Sequence, residues 1–166
     1  MTFAASFLAE FEHEAATTRT LLAVAPPAKF AWSPHVRSMT LGRLVVHLAS
    51  NPGWIPGIIQ EPSFDTAPGG VEMKEPDLTT TEAVLATFDA CVAQASAAIS
   101  DLADSTLGDS WSLLANGQVL LTMPRAAVLR TFGISHLIHH RGQLCVYLRL
   151  LDVKLPSVYG PTADGA

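Results

Sequence analysis

Residues 136–144, HLIHHRGQL, decide the fold of this chain, because they place two histidines four residues apart inside a long segment with helical apolar periodicity. At about 100° per residue, His136 and His140 leave the same side of a helix, one turn apart. Leu129 and Phe132 share that side, so it is mostly apolar. Such a stripe should face a protein interior and carry both imidazoles there.

The other polar residues of this helix divide between its two sides. His139 falls on the polar side, which predicts a solvated or interface histidine rather than a ligand. Gln143 and Tyr147 lie on the interior side beside the two histidines. Gln143 is a candidate for orienting a ligand or a bound water, although it would equally fill a gap in the packing. Arg141 points away and should pair with an acid on another helix or subunit.

A third ligand has to come from elsewhere in the chain, because an open Zn²⁺ site uses three protein ligands and one exchangeable position. His47, in LVVHLAS at 44–50, lies at the border of the apolar side of a second predicted helix. Helical bundles commonly build metal sites from facing helices, which makes His47 the best-placed third ligand. Spacing alone also fits hydrogen-bonded core histidines, so both interpretations stay open at this point.

Periodicity predicts four helices, and their ends carry recognisable signals. They run from about 3 to 24, from Ser38 or Thr40 to a break at 51–53, from about 80 to 102 with a Thr79, Thr80 or Thr81 cap, and from Pro124 to about 151. Their number and length predict an all-α four-helix bundle with long connections.

Two connections look unusual. Residues 110–122, SWSLLANGQVLLT, contain an Asn116–Gly117 pair between two apolar runs, which predicts a small β-hairpin before the last helix. Residues 61–78 are rich in proline and form a long loop. A loop of this length is often a lid or binding loop, so it and Trp54 are candidates for the rim of the site, or the loop simply connects helices.

Length and composition favour one globular domain spanning 1–166. A chain of 166 residues is within the usual range of about 100–200 residues per domain. With 49% hydrophobic and 15% charged residues, much of the surface must be apolar, and a homodimer is the simplest way to cover it. Ten scattered basic residues and a net charge of −5 argue against nucleic-acid binding.

Location is predicted from what the sequence does not show. The N-terminus lacks the pattern of a signal peptide, and no uncharged apolar run reaches about 18 residues, so neither export nor a membrane span is expected. Cys91 and Cys145 are isolated, which argues against a disulfide framework. A cytoplasmic location is therefore expected.

Three stretches of the chain together resemble the DinB/YfiT-like metalloenzymes. They are SMTLGRLVVHLASNPGW at 38–54, HLIHHRGQLCVYLRLL at 136–151 and LPSVYGPTADG at 155–165. The resemblance implies a four-helix bundle of unusual connectivity, commonly dimeric, with one divalent ion. It assigns the ligands to one histidine of the second helix and two of the fourth, which here are His47, His136 and His140. All-histidine ligation favours zinc or nickel, and manganese or iron is also compatible.

An open ion on three neutral imidazoles supports two reaction types. Bound water can become a nucleophile for hydrolysis, or a bound thiol can be held as thiolate and transferred to an electrophile. Some relatives in the resembling superfamily use low-molecular-weight thiols, which favours transfer and a small-molecule substrate. The alternatives are a non-catalytic, metal-stapled structural or stress-related homodimer and, more weakly, a small-ligand binding protein without a metal.

Overall fold

Helices dominate the computed structural model, which describes residues 2–165; the two end residues of the expected 1–166 domain, Met1 and Ala166, lie outside the described residues. The helices are α1 (Phe3–Ala23), α2 (Leu41–Ser50), α3 (Trp54–Gln60), α4 (Thr81–Ser100), α5 (Arg125–Val128) and α6 (His136–Leu150). Two junctions join them into four long helices. A 3-10 turn at Asn51–Gly53 links α2 to α3, and a π-helical segment at Leu129–Ser135 links α5 to α6. The predicted four-helix bundle is thus confirmed.

Threonine side chains begin three of the helices. The hydroxyl oxygen of Thr40 accepts from the backbone N–H of Arg43, and that of Thr80 accepts from Ala83, both at 3.2 Å. The structure therefore selects Thr40 over Ser38 and selects Thr80 among the three candidates. Pro124, predicted to open the last helix, instead ends a strand, and the helix begins at Arg125.

A three-stranded sheet covers one end of the bundle. Its strands are β1 (Ser63–Asp65), β2 (Ser110–Ala115) and β3 (Gln118–Pro124), in that order, with β1 parallel to β2 and β3 antiparallel to it. Asn116 and Gly117 form the predicted hairpin turn, both at positive φ (49° and 73°). Strand β1 was not expected inside the 61–78 loop. The Asp65 carboxylate accepts from the backbone N–H groups of Asn116 and Gly117, at 3.0 and 2.8 Å, and so fastens β1 to the hairpin.

The core lies between helices that pack crosswise, with α1 and α2 each against both α4 and α6. The buried side chains include Phe7, Phe11, Leu44, Leu48, Phe88, Ile99, Leu137 and Leu144. By length and composition alone α4 would also suit a membrane span, which the search for an uncharged run missed because Glu82 and Asp89 interrupt it. In the described structure α4 packs against α1 and α2.

Two buried arginines fix the position of the helices around the site. Arg125 donates to the carbonyls of Ile58, Ile59 and Glu61, and it thereby satisfies the C-terminal end of α3. Arg141 forms an ion pair with Glu14 of α1, as expected for an arginine facing another helix. Its guanidinium also lies over the ring of Tyr159 in the C-terminal tail.

Candidate metal centre

Three imidazole rings converge where α2 faces α6. His47, His136 and His140 each offer one ligand atom, and these atoms all lie within 4.8 Å of one another. The ring centroids are separated by 5.1 Å for His47 and His136, 4.6 Å for His47 and His140, and 4.4 Å for His136 and His140. These are the three histidines that helical geometry and the family resemblance selected. His139 is exposed and lies outside the cluster.

The helix that carries two of these rings is irregular just before them. The π-helical turn at Leu129–Ser135 ends where His136 begins α6. π-Turns are rare and are frequently found at functional sites. Gly133, within this turn, allows α3 to come close, since a Cβ there would lie 3.3 Å from the Ile55 side chain. The turn therefore sets both the phase of the histidines and the approach of α3.

Hydrogen bonds define the protonated nitrogen of His47. Its Nδ1–H donates to Oε1 of Glu75 at 2.8 Å, which leaves Nε2 as the lone-pair nitrogen facing the cluster. Nε2 of His136 lies 2.8 Å from that nitrogen. With His47 in this tautomer, His136 is the donor of the pair. Binding of an ion between them requires this proton to leave Nε2 of His136.

Gln143 orients His140 in the same way. The Nδ1–H of His140 donates to Oε1 of Gln143 at 2.7 Å, so Nε2 is free to act as a ligand. The Gln143 amide in turn donates to Nε2 of His139 at 3.1 Å. The structure therefore gives Gln143 the orienting role that the sequence predicted, and it gives His139 an outer place in the same chain of hydrogen bonds.

Burial keeps the cluster uncharged. It lowers the pKa of His136 from 6.5 to about 4, and the neighbouring rings of His140, His47 and His139 lower it further. Burial also lowers the pKa of His140, while its hydrogen bond to Gln143 acts in the opposite direction. Neutral imidazoles keep their lone pairs, so these two rings stay able to bind a metal below neutral pH.

We expect the stability of the metal-free protein to fall as the pH is lowered from about 6.5 to about 4. Across this window His136 takes up a proton in the unfolded chain but not in the folded one, so acid favours unfolding. Denaturant unfolding at several pH values, in the presence of a chelator, measures the slope. His136→Gln should flatten it, whereas the exposed control His13→Gln should not. Parallel profiles for both variants would contradict this assignment.

A cavity of about 400 Å³ adjoins the three rings. Its wall is mostly apolar and consists of Gly53, Trp54, Gly57, Ile58, Phe64, Thr66, Met73, Trp111, Leu113, Phe132 and His136. Trp54 stands at its edge, half exposed, with its ring centroid 5.1 Å from that of His136 and 5.4 Å from that of His47. The predicted rim position of Trp54 and of the 61–78 loop is therefore found in the structure.

Two aromatic residues differ from their predicted positions. Tyr147, a candidate pocket residue, contacts the chain before α2 instead: its hydroxyl donates to the carbonyl of Met39 at 3.2 Å, and its ring packs edge-on against Trp32. Trp111, expected to serve packing or dimer contacts, is buried and lines the cavity. The physical reason is β1, which holds the hairpin against α3 and turns β2 toward the site.

Glu75 is the site residue that sequence reasoning missed. It lies in an irregular part of the long loop, where no periodicity indicates which side chains face the protein. The available signal was weaker, namely a loop too long for a plain connection, with two glutamates in it.

The residues present fit a divalent ion of borderline softness. Three nitrogen donors with their other nitrogens hydrogen-bonded, as for His47 and His140, are typical of zinc sites and suit nickel equally. Zn–N bonds of about 2.0–2.1 Å require only small rotations of rings whose ligand atoms already lie this close.

Comparison with known proteins agrees with this architecture. The sequence profile of the DinB family matches residues 1–165. A DinB-like protein from Bacillus cereus is 22% identical and superimposes with a TM-score of 0.71, covering 95% of this chain and 98% of its own. A DinB-like protein from Bacillus subtilis is 19% identical, with a TM-score of 0.70 and coverage of 92% and 97%. A search of curated proteins finds no match. At these identities the two structures show the shared fold alone.

Proposed function

The chain belongs to the DinB family, and on that premise we propose that it is a metal-dependent transferase which joins a low-molecular-weight thiol to an apolar electrophile. His47, His136 and His140 would hold the ion, zinc or nickel by the chemistry of their nitrogens.

One observation carries the proposal: His136 belongs both to the histidine cluster and to the wall of the apolar cavity. A ligand in the cavity would therefore lie beside the ion's remaining position. A purely structural zinc site is closed by four protein ligands, whereas this cluster supplies three. The arrangement supports chemistry at the ion rather than simple stapling of the helices.

The cavity wall favours thiol transfer over hydrolysis. Within residues 2–165, His136 is the wall residue with an ionisable side chain, and the Thr66 hydroxyl donates to the carbonyl of Leu114. Hydrolysis of an ester or amide needs a proton donor for the leaving group and a supply of water, and this wall offers little of either. Thiol transfer needs neither at the same place, because the thiol proton passes to solvent and the sulfur–carbon bond forms on an apolar partner.

Each group of residues has a distinct role in this reaction. A bound divalent ion would supply a Lewis acid that favours the deprotonated form of a thiol. The His47–Glu75 and His140–Gln143 hydrogen bonds hold two rings with Nε2 facing inward. Trp54, Phe132 and the other apolar wall residues exclude water and accept the apolar part of the electrophile.

The proposal is tested by turnover with and without metal. Zn²⁺- or Ni²⁺-loaded protein is assayed with a panel of thiols against apolar electrophiles and charged analogues of similar size, and with nitrophenyl esters and anilides. We expect metal-dependent consumption of the thiol, faster with apolar electrophiles, which a chelator abolishes. Hydrolysis without a thiol would overturn the proposed reaction. Silence in both panels would favour the metal-stapled structural homodimer.

A further inference from the structure

The segment 71–79 touches the histidine cluster at a single residue. This part of the long loop has no regular secondary structure. Among the described residues, the contact between Oε1 of Glu75 and Nδ1 of His47 is the one hydrogen bond made by positions 74–79. The Glu75 side chain is 35% exposed and the His47 side chain 17% exposed, so this contact lies at the edge of the protein.

The same stretch of chain forms one side of the cavity. Met73, two residues before Glu75, lines it, as do Phe64 and Thr66. The backbone N–H of Met73 donates to the carbonyl of Thr66 at 3.2 Å, and farther along Leu78 packs against the core. The Glu75 carboxylate lies between these two points and fastens the segment to α2 through His47.

We propose that Glu75 is a positioning residue that couples the metal centre to the cavity wall. Its carboxylate fixes the tautomer of His47 and holds the segment 71–79 in place beside the cluster. This inference rests on the proposed function insofar as it takes the three histidines to bind an ion.

Charge gives the coupling its direction. Three neutral imidazoles leave a divalent ion its full charge, and Glu75 brings a negative charge within one ring of it. An ion on Nε2 makes the Nδ1–H of His47 a stronger donor, so the bond to Glu75 strengthens when metal binds. Coupling between two equilibria is reciprocal. Metal therefore steadies the segment, and the fastened segment raises the affinity for metal.

The chain supplies a matched pair of variants for the test. Glu75→Ala and Glu72→Ala remove the same charge from the same segment, but Glu72 is exposed and lies away from His47. Zn²⁺ affinity is measured by competition with a chelator. We expect Glu75→Ala to weaken binding about 10- to 100-fold, as for other outer residues of metal sites, and Glu72→Ala to change it by less than about threefold. Equal affinities for the two variants would overturn the proposal.

Limited proteolysis reports the segment itself. Lys74 is exposed and provides a trypsin site next to Glu75. Each cleavage rate is divided by that of a synthetic peptide of the matching sequence under the same conditions, which removes the effect of the residue after Lys74. We expect Zn²⁺ to slow cleavage several-fold in the wild type and in Glu72→Ala, but not in Glu75→Ala. Equal protection in Glu75→Ala would contradict the coupling.

Failure of the proposed function has a different signature. A wild-type chain that binds no Zn²⁺ would refute the metal site and, with it, the coupling. A wild type that binds Zn²⁺ but shows no turnover leaves the coupling intact, because affinity and cleavage are measured without a substrate. In the metal-free protein, faster normalised cleavage of Glu75→Ala than of Glu72→Ala supports the fastening role by itself, and equal rates refute that role.

Discussion

His136→Ala is expected to weaken Zn²⁺ or Ni²⁺ binding on the order of 100-fold or more, because structural zinc sites spread roughly 10–16 kcal/mol over four ligands. His136 is central to the cluster: its Nε2 lies 2.8 Å from that of His47, and its ring centroid lies 4.4 Å from that of His140. Its loss leaves two imidazoles, which cannot match a three-nitrogen site. Calorimetric titration of metal-stripped protein measures the affinity, and elemental analysis gives the metal content per chain.

His139→Ala is the control for that experiment. It removes an imidazole from the same turn of α6, but an exposed one outside the cluster. Gln143 would keep its hydrogen bond to His140, so metal affinity should change by less than about threefold. The three-histidine site fails if His136→Ala carries as much metal as the wild type, or if both variants lose the ion equally.

Glu14→Ala is expected to destabilise the fold by about 3–5 kcal/mol, the cost of leaving a buried charge without its partner. The Arg141 side chain is only 2% exposed, and its Nη2 lies 2.6 Å from Oε2 of Glu14. The Tyr159 hydroxyl also donates to Oε2 of Glu14, at 2.8 Å, so the variant loosens the C-terminal tail as well. Denaturant unfolding gives the change in the free energy of unfolding.

Two further variants separate charge from packing. Glu12→Ala, an exposed change on the same helix, should stay within about 0.5 kcal/mol of the wild type. The double variant Glu14→Leu/Arg141→Met should regain most of the loss, since apolar side chains of similar volume often replace a buried ion pair without penalty. A Glu14→Ala protein as stable as Glu12→Ala would show that the buried pair contributes nothing.

Much of the bundle could be predicted because helices repeat a local rule. Thr40 and Thr80 cap helices where a polar residue precedes an apolar period, and Asn116–Gly117 turns a hairpin because both residues accept positive φ. The limits were also local. The π-turn at Leu129–Ser135 inserts an irregularity that a constant 100° step does not contain. Strand β1 is three residues long and exists because β2 lies beside it.

The histidines show the same division more sharply. The positions of His136 and His140 follow from their spacing on one helix, and the apolar side of α2 indicated His47, so the sequence determined which three rings would meet. Tertiary structure decided what surrounds them. Glu75, on a loop without periodicity, reaches His47 across 28 positions of sequence, and Trp111 reaches the cavity through a hairpin fastened by Asp65. Periodicity encodes the faces of helices, whereas the contacts of loops depend on where the packed helices leave them.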